Sequence, residues 1–270
     1  MAPVGRLGLA TAATGTVESR AGATLASLVK GFALPEAGAF RLRLTGENIA
    51  EIKIENNGDR VDTLVVSRFD YDRSWDRLSD YEAERPALFP GAYRATVEYG
   101  DSAAVGYNAP YFRGEGGGRV SIGETTRCTV VAKVCNALVR VATTANFDDY
   151  FTQPQFRLVV DGEPTDFVLT GSDSEPVFVP AGAQIAWQGA VRRPAQTSAD
   201  AAAGEIYTFE LAARTAAAGT VHTFTFTAEA GGATVGVRFE EFAAGDTEGH
   251  EPEMNEDALP PETDAADDNE

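Results

Sequence analysis

Cysteine and histidine are both scarce in this chain, with two of each among 270 residues. Cys128 and Cys135 lie seven apart. On one extended strand their Cα atoms stand roughly 23 Å apart, at about 3.3 Å per residue. A disulfide needs them within about 7 Å, and an odd spacing points them to opposite faces. The spacing predicts two free thiols, at least one of them buried. The count of two excludes a disulfide-stapled scaffold and a cysteine-based zinc site. His222 falls in a strand pattern, where it is expected to turn one face to solvent, and His250 falls in the C-terminal tail. A Ser-His-Asp or Cys-His arrangement has no support, so the chain reads as a non-enzyme with no cofactor and no metal. Also missing is any apolar run near the 18 or more residues of a membrane helix. The start, MAPVGRLGLATAATG, lacks the basic opening and long apolar stretch of a signal peptide. It fits either a mature chain whose leader has been replaced by Met or a cytosolic protein.

Positive charge is sparse too. There are 22 Lys and Arg against 41 Asp and Glu, a formal charge of -19. Phosphate binding needs a cationic surface, which argues against nucleic acid, and docking on anionic headgroups is disfavoured. Residues 246–270 hold eleven acids and no Lys or Arg. This acidic, proline-containing segment has too little apolar surface to offset its ordering entropy and is expected to be disordered.

Helix signals are few: a short stretch at Ala23 to Val29 and one or two turns at Asp76 to Ala83. Strand signals are many. Phe40, Leu42 and Leu44 alternate with Arg41, Arg43 and Thr45, as a half-buried strand requires. Ile49 to Ile54 and Thr63 to Phe69 flank Asn56-Asn57-Gly58-Asp59, residues that tolerate the positive φ of a hairpin turn. Tyr93 to Tyr99 follows Pro90-Gly91. Thr125 to about Thr144 reads as one long strand joining two units. Phe156 to Val160, Phe167 to Leu169, Val177 to Val179, Gln184 to Trp187, Tyr207 to Leu211, Val221 to Ala228 and Thr234 to Phe239 continue the pattern. Short strands at regular spacing indicate β-sandwiches. The expected architecture is all-β, with two tandem antiparallel sandwich domains at 1–133 and 134–245 and a disordered tail at 246–270.

The segment LFPGAYRATVEYGDSAAVGYNAPYFRGEGGGRVSIGETTRCTVVAKVCNALVRVATTANFDDYF, together with the early GRLGLA, resembles a surface lipoprotein family of Bacteroidales-type bacteria. Members begin with a Gly-x-Leu-x-Leu strand, here Gly5 to Leu9. They continue with a Gly-x-Tyr strand (Gly91 to Tyr93), an Ala-Pro-Tyr-Tyr/Phe-x-Gly loop (Ala109 to Gly114), a Gly-x-Thr strand leading to a Cys-x-x-Asn-like segment (Gly123 to Asn136) and a Phe-x-x-x-Phe (Phe147 to Phe151). The resemblance implies two β-sandwiches (fimbrillin/transthyretin-like) of the kind found in fimbrillin-type pilus subunits and adhesins. It also implies a cell-surface or outer-membrane location after export, through a lipid anchor absent from this chain. Its partners would be other surface or pilus proteins, or glycans. It further carries the idea of strand exchange after proteolysis, with Gly5 to Leu9 as the displaced strand and Arg20 as a trypsin-like cut site, the other reading of Arg20 being a plain surface residue.

Three local constellations invite chemistry. Asp70, Asp72, Asp76 and Asp80 are the densest acids of the body, but Trp75 stands where a calcium loop needs Gly, and Arg73 and Arg77 neutralise them locally. They read as a solvated loop with ion pairs. Trp75, Tyr107 and Tyr111, with Tyr81 and Phe112, are the aromatics from which a sugar platform could be built. GEGGG at 114–118 lacks the Lys-Ser/Thr of a phosphate loop and reads as a flexible hairpin tip. The reading reached is a non-enzymatic surface lipoprotein acting as an adhesin or pilus-associated component. The alternative is a carbohydrate-binding surface lipoprotein of a polysaccharide uptake system, using Trp75, Tyr107 and Tyr111.

Overall fold

The structure is a computed structural model and describes residues 4–14, 25–56, 62–194, 204–229 and 234–242. Arg20 and the acidic tail lie outside the described residues.

The first half builds one six-stranded sheet. Its strands are β1 (Arg6–Thr14), β2 (Arg41–Asn56), β3 (Asp62–Trp75), β4 (Gly91–Tyr99), β5 (Phe112–Val120) and β6 (Thr125–Val134), in the spatial order β1-β6-β5-β4-β2-β3. The inward residues Leu42, Leu44, Tyr93, Ala95, Val97, Phe112, Val120 and Val130 share a core with Leu25 of α1 (Leu25–Leu28) and with Leu78 and Tyr81 of α2 (Leu78–Glu84). The helices cover apolar surface that the sheet alone leaves open.

The second half contains two sheets. One orders β10 (Val177–Val179), β7 (Ala137–Thr143), β14 (Val221–Glu229) and β15 (Thr234–Phe242). The other contains β8 (Thr152–Val160), β9 (Glu163–Leu169), β11 (Gln184–Pro194) and β12 (Gly204–Glu210), with β13 (Arg214–Thr215) paired to β11. Between them lies a core rich in aromatic rings, including Phe147, Phe156, Trp187, Phe224 and Phe226. Phe156 and Phe226 stack at 4.1 Å between centroids. α3 (Ala145–Tyr150) supplies Phe147, and its first turn is capped by Thr144, whose hydroxyl accepts from the Phe147 N–H at 3.2 Å.

The all-β class holds, with two parallel pairings inside it: β1 runs parallel to β6, and β7 parallel to β14. The expected single strand over 125–144 is two strands of different sheets, interrupted at Cys135 and Asn136. The break has a physical reason. Asn136 is 1% exposed, and its side chain serves the neighbouring loop. Its carbonyl oxygen accepts from the Tyr111 N–H (3.1 Å) and its amide donates to the Ala109 carbonyl (2.8 Å). Around it, the Cys135 N–H bonds the Tyr111 carbonyl and the Gly219 N–H bonds the Asn136 carbonyl. The 101–111 loop also bonds the second half, where Gly106 and Phe178 exchange both backbone hydrogen bonds. Leu138, Phe178 and Val221 pack into the first core.

GEGGG is a second correction, since it lies inside β5 rather than at a hairpin tip. Glycine is demanded there by close approach. A Cβ at Gly114 would stand 2.6 Å from the Val131 carbonyl oxygen, and one at Gly117 2.8 Å from that of Tyr93. Both cysteines are free, with Cys128 buried and Cys135 half-buried.

β2 and β3 outrun the rest of the sheet. β4 pairs with β2 only over Arg41 to Thr45, whereas β2 and β3 stay paired as far as Asn56 and Asp62. An irregularity between Gly46 and Ile49, with Asn48 at φ 53°, separates the two regimes. Asparagine tolerates this left-handed backbone, and its N–H is held by the Asp70 carboxylate at 3.1 Å. Beyond this bulge the ribbon stands as two strands, with no third beside them among the described residues.

Candidate functional site

Glycine, leucine and small residues make β1. Leu7 and Leu9 enter the core at 4% and 8% exposure while Arg6 and Ala10 point out. All nine residues find partners on β6, from Arg6 opposite Thr125 to Thr14 opposite Lys133. The strand is also fastened at its start. Gly5 exchanges two backbone hydrogen bonds with Leu88 at 2.8 and 2.9 Å, and Arg6 donates to the Glu124 carbonyl at 2.8 Å. A side chain at Gly5 would collide with the Ser121 carbonyl.

Along its other edge β1 has no strand neighbour among the described residues. Its main specific contact there is Tyr81 of α2, whose hydroxyl donates to the Leu7 carbonyl at 2.6 Å. Burial, with lesser contributions from Tyr71 and Cys128, pushes the Tyr81 phenol up to about 12, so it remains a neutral donor at ordinary pH. A cleft of about 470 Å³ runs beside the strand, lined by Leu7, Leu9, Tyr81, Glu82, Arg85 and Pro86 among others. Chemically the arrangement is a sheet edge filled by one strand, with two leucine-sized positions and a row of backbone groups to satisfy. Gly-x-Leu-x-Leu at the chain start was the sequence signal for it. Tyr81, which fastens it, was legible only as an aromatic near an acidic run.

The aromatic candidates pack against different parts of the fold, Trp75 in the first core and Tyr107 against the second. Trp75 is 8% exposed. Its ring packs edge-on against Tyr81 at 4.9 Å, lies under the Arg73 guanidinium at 4.7 Å, and donates its N–H to Glu84 at 2.8 Å. Arg73 holds the same carboxylate with two bonds, at 2.6 and 2.9 Å. The Glu84 carboxyl is accordingly held below its ordinary value, first by the Trp75 N–H and then by Arg73. Tyr107 is half-buried against Phe167, edge-on at 5.0 Å. Half-buried Tyr111 donates its hydroxyl to Glu98 at 3.0 Å. An exposed platform built on Trp75 is therefore corrected to a core cluster, because its indole has apolar, cationic and anionic partners within the fold.

The acidic run is likewise corrected in part: its first two members lie on a strand, while Asp76 lies in the bend after it and Asp80 in α2. Asp70 and Asp72 lie on β3, and Arg43 grips Asp72 through two bonds at 3.0 and 2.7 Å. Among the described residues no group of three or more His, Cys, Asp or Glu could hold a metal ion. His222 is fully buried rather than half in solvent. Its Nε2 accepts from the Ala217 N–H at 3.0 Å and contacts the Thr220 hydroxyl at 2.8 Å, which makes it a fastener of the loop before β14.

A family model described as Domain of unknown function (DUF4493) matches residues 6–250. No curated protein matches the sequence. Among solved structures, a fimbrial assembly protein from Parabacteroides distasonis is similar at 7% identity and a TM-score of 0.40, over 79% of this chain and 92% of that one. The tip fimbrial protein Mfa3 from Porphyromonas gingivalis, with a C-terminal truncation, is similar at 7% identity and a TM-score of 0.38, over 77% of this chain and 94% of that one.

Proposed function

We propose that this chain, which belongs to the family Domain of unknown function (DUF4493), is a non-enzymatic cell-surface component that works as an adhesin or pilus-associated subunit through strand pairing. The family carries no activity in its description, so the reading rests on the chain's own edges. Two contact units are proposed, 1–133 and 134–245, with the Lys133 to Asn136 portion as their junction. The observation that carries the reading is β1: a terminal edge strand, registered over nine residues on β6 and fastened across its free side by the Tyr81 hydroxyl.

Release of β1 would open an edge of β6 together with the sites of Leu7 and Leu9. An extended segment of another surface protein with apolar residues two apart would fill them, by backbone hydrogen bonds for affinity and alternate side chains for choice. Arg20 is the proposed cut site that frees β1. A glycan role would need a platform other than Trp75.

Limited tryptic digestion of the intact protein, followed by mass spectrometry, tests this. The expected result is a cut after Arg20, with the remaining body binding a labelled synthetic peptide of residues 4–14. Arg20→Ala should keep β1 attached and should not take up the peptide. A cut body that never binds the peptide would refute strand exchange.

A further inference from the structure

The outer face of the six-stranded sheet is cationic, in a chain whose acids far outnumber its bases. Its exposed positions alternate with the core residues along β1, β2, β4, β5 and β6. Some of its arginines already hold acids. Arg43 grips Asp72 at 2.7 Å, Arg113 holds Glu115 at 2.7 Å, and Arg41 and Arg113 share Glu98 at 3.9 and 3.8 Å. The remaining cations of the face, Arg6, Arg94, Arg119, Arg127 and Lys133, are exposed and make no ion pair among the described residues. Small residues lie beside them: Arg94 faces Gly117, Arg119 faces Ala92 and Arg127 faces Gly8. Lys133 faces Thr14 on one side and Arg113 on the other. Glu124, in the turn before β6, is an acid at the rim. A surface of this sign draws in anions.

The chain carries the complement itself. Residues 246–270 hold eleven acids and no Lys or Arg. They leave the fold close to the face. Phe242 ends β15 opposite Val221, and Val221 lies beside Leu138 of β7. Two strand spacings are about 10 Å, and the stretch from Leu138 back to Lys133 spans at most about 18 Å. The segment from 243 to 270 extends to about 90 Å, so it reaches every cation of the face.

We infer that the acidic segment 246–270 docks on this face of its own chain, its carboxylates over Arg94, Arg119, Arg127 and Lys133. Exposed ion pairs are individually weak. Tethering holds the acids at an effective concentration on the order of millimolar, so many weak pairs act together. Docking also neutralises a bare sheet face that otherwise attracts outside polyanions. The inference goes beyond strand exchange at β1, which concerns the edge of this sheet and its inward leucines rather than its outer surface.

Zero-length carbodiimide coupling of the intact protein, read by mass spectrometry, tests it. The lysines of the chain are Lys30, Lys53 and Lys133. Lys53 pairs with Glu51 at 3.0 Å, and their coupling verifies the reagent. Lys133 should couple to carboxylates of 246–270, whereas Lys30 and Lys53, off this face, should not. Mixed isotope-labelled and unlabelled copies should show the link within one chain. Arg94→Gln, Arg119→Gln and Arg127→Gln together, with circular dichroism to verify the fold, should cut the yield roughly tenfold, about a factor of two for each exposed pair. No link from Lys133 to the segment, links only between chains, or a yield indifferent to the triple variant overturns the inference. Without the link, binding of dextran sulfate that the triple variant loses would assign the face to an outside polyanion, which overturns it equally.

Discussion

Replacing Asn136 with Ala removes the side chain that joins the two strands flanking the break to the 101–111 loop. The amide is 1% exposed and makes two hydrogen bonds to backbone groups, at 3.1 Å from Tyr111 and 2.8 Å to Ala109. Truncation leaves one N–H and one carbonyl without these partners in a partly buried place. Each loss costs roughly 1 to 1.5 kcal/mol, so the variant should be about 2–3 kcal/mol less stable. For a protein of this size that corresponds to a fall in Tm of about 5–10 °C. Differential scanning calorimetry reads the fall, and amide hydrogen exchange locates it. The Tyr111 N–H should lose protection, and the Gly106–Phe178 bridge should loosen with it, because both belong to the same loop. Asn136→Asp should be worse than Ala, since it loses the donor and buries a charge. An Ala variant that melts within about 1 °C of wild type, with Tyr111 exchange unchanged, would refute the claim that this side chain fastens the junction.

Other expectations follow from the same geometry. Tyr81→Phe removes the hydroxyl donated to Leu7 and should cost about 1 kcal/mol, with β1 released faster under trypsin; an unchanged release rate would count against Tyr81 as its fastener. Gly114→Ala places a Cβ 2.6 Å from the Val131 carbonyl, which β5 and β6 can relieve only by moving apart; a loss of about 1–3 kcal/mol is expected in urea titration, and an unaltered midpoint would refute the close-approach argument. Because the Glu84 carboxyl is depressed, its pairing with Trp75 and Arg73 is present above the ordinary glutamate value and is lost as pH falls through the lowered one. The Trp75 emission should therefore shift with a midpoint below 4.5, and Arg73→Gln should raise that midpoint; a wild-type midpoint at or above 4.5 contradicts the cluster. In a thiol-reagent assay Cys135 should react in the folded protein and Cys128, 4% exposed, only on unfolding; equal rates would contradict the burial.

The strands were legible because alternation over Arg41–Thr45 or Phe156–Val160 reports a two-residue period directly. The free thiols were legible from their spacing, although Cys135 lies past the end of β6 and not on the single strand expected. Parallel pairing of β1 with β6 was not legible, since alternation says which face is buried but not which strand lies alongside. The break at Asn136 was hidden because Val134, Ala137, Leu138 and Val139 read as one apolar run; only the buried amide, serving a loop 25 residues upstream, shows why the strand stops. GEGGG misled because glycine signals both turns and close strand approach, and only the neighbouring backbone distinguishes them. Trp75 misled for a different reason. Its neighbours in sequence are charged, yet Arg73 and Glu84 close over the ring instead of leaving it in solvent.

The two parallel pairings bear on how the molecule carries tension. A pull between Arg6 and Glu229 draws β1 from its first residue and β6 from its last, so their nine register pairs slide past one another and resist together. β7 and β14 meet the same pull in the same way through six pairs, from Leu138–Val221 to Thr143–Phe226. Between these two clamps the load crosses Cys135 and Asn136 along covalent backbone. A chain threaded in this order resists extension by shear at both ends, whereas an antiparallel hairpin loaded at its open ends yields one pair at a time.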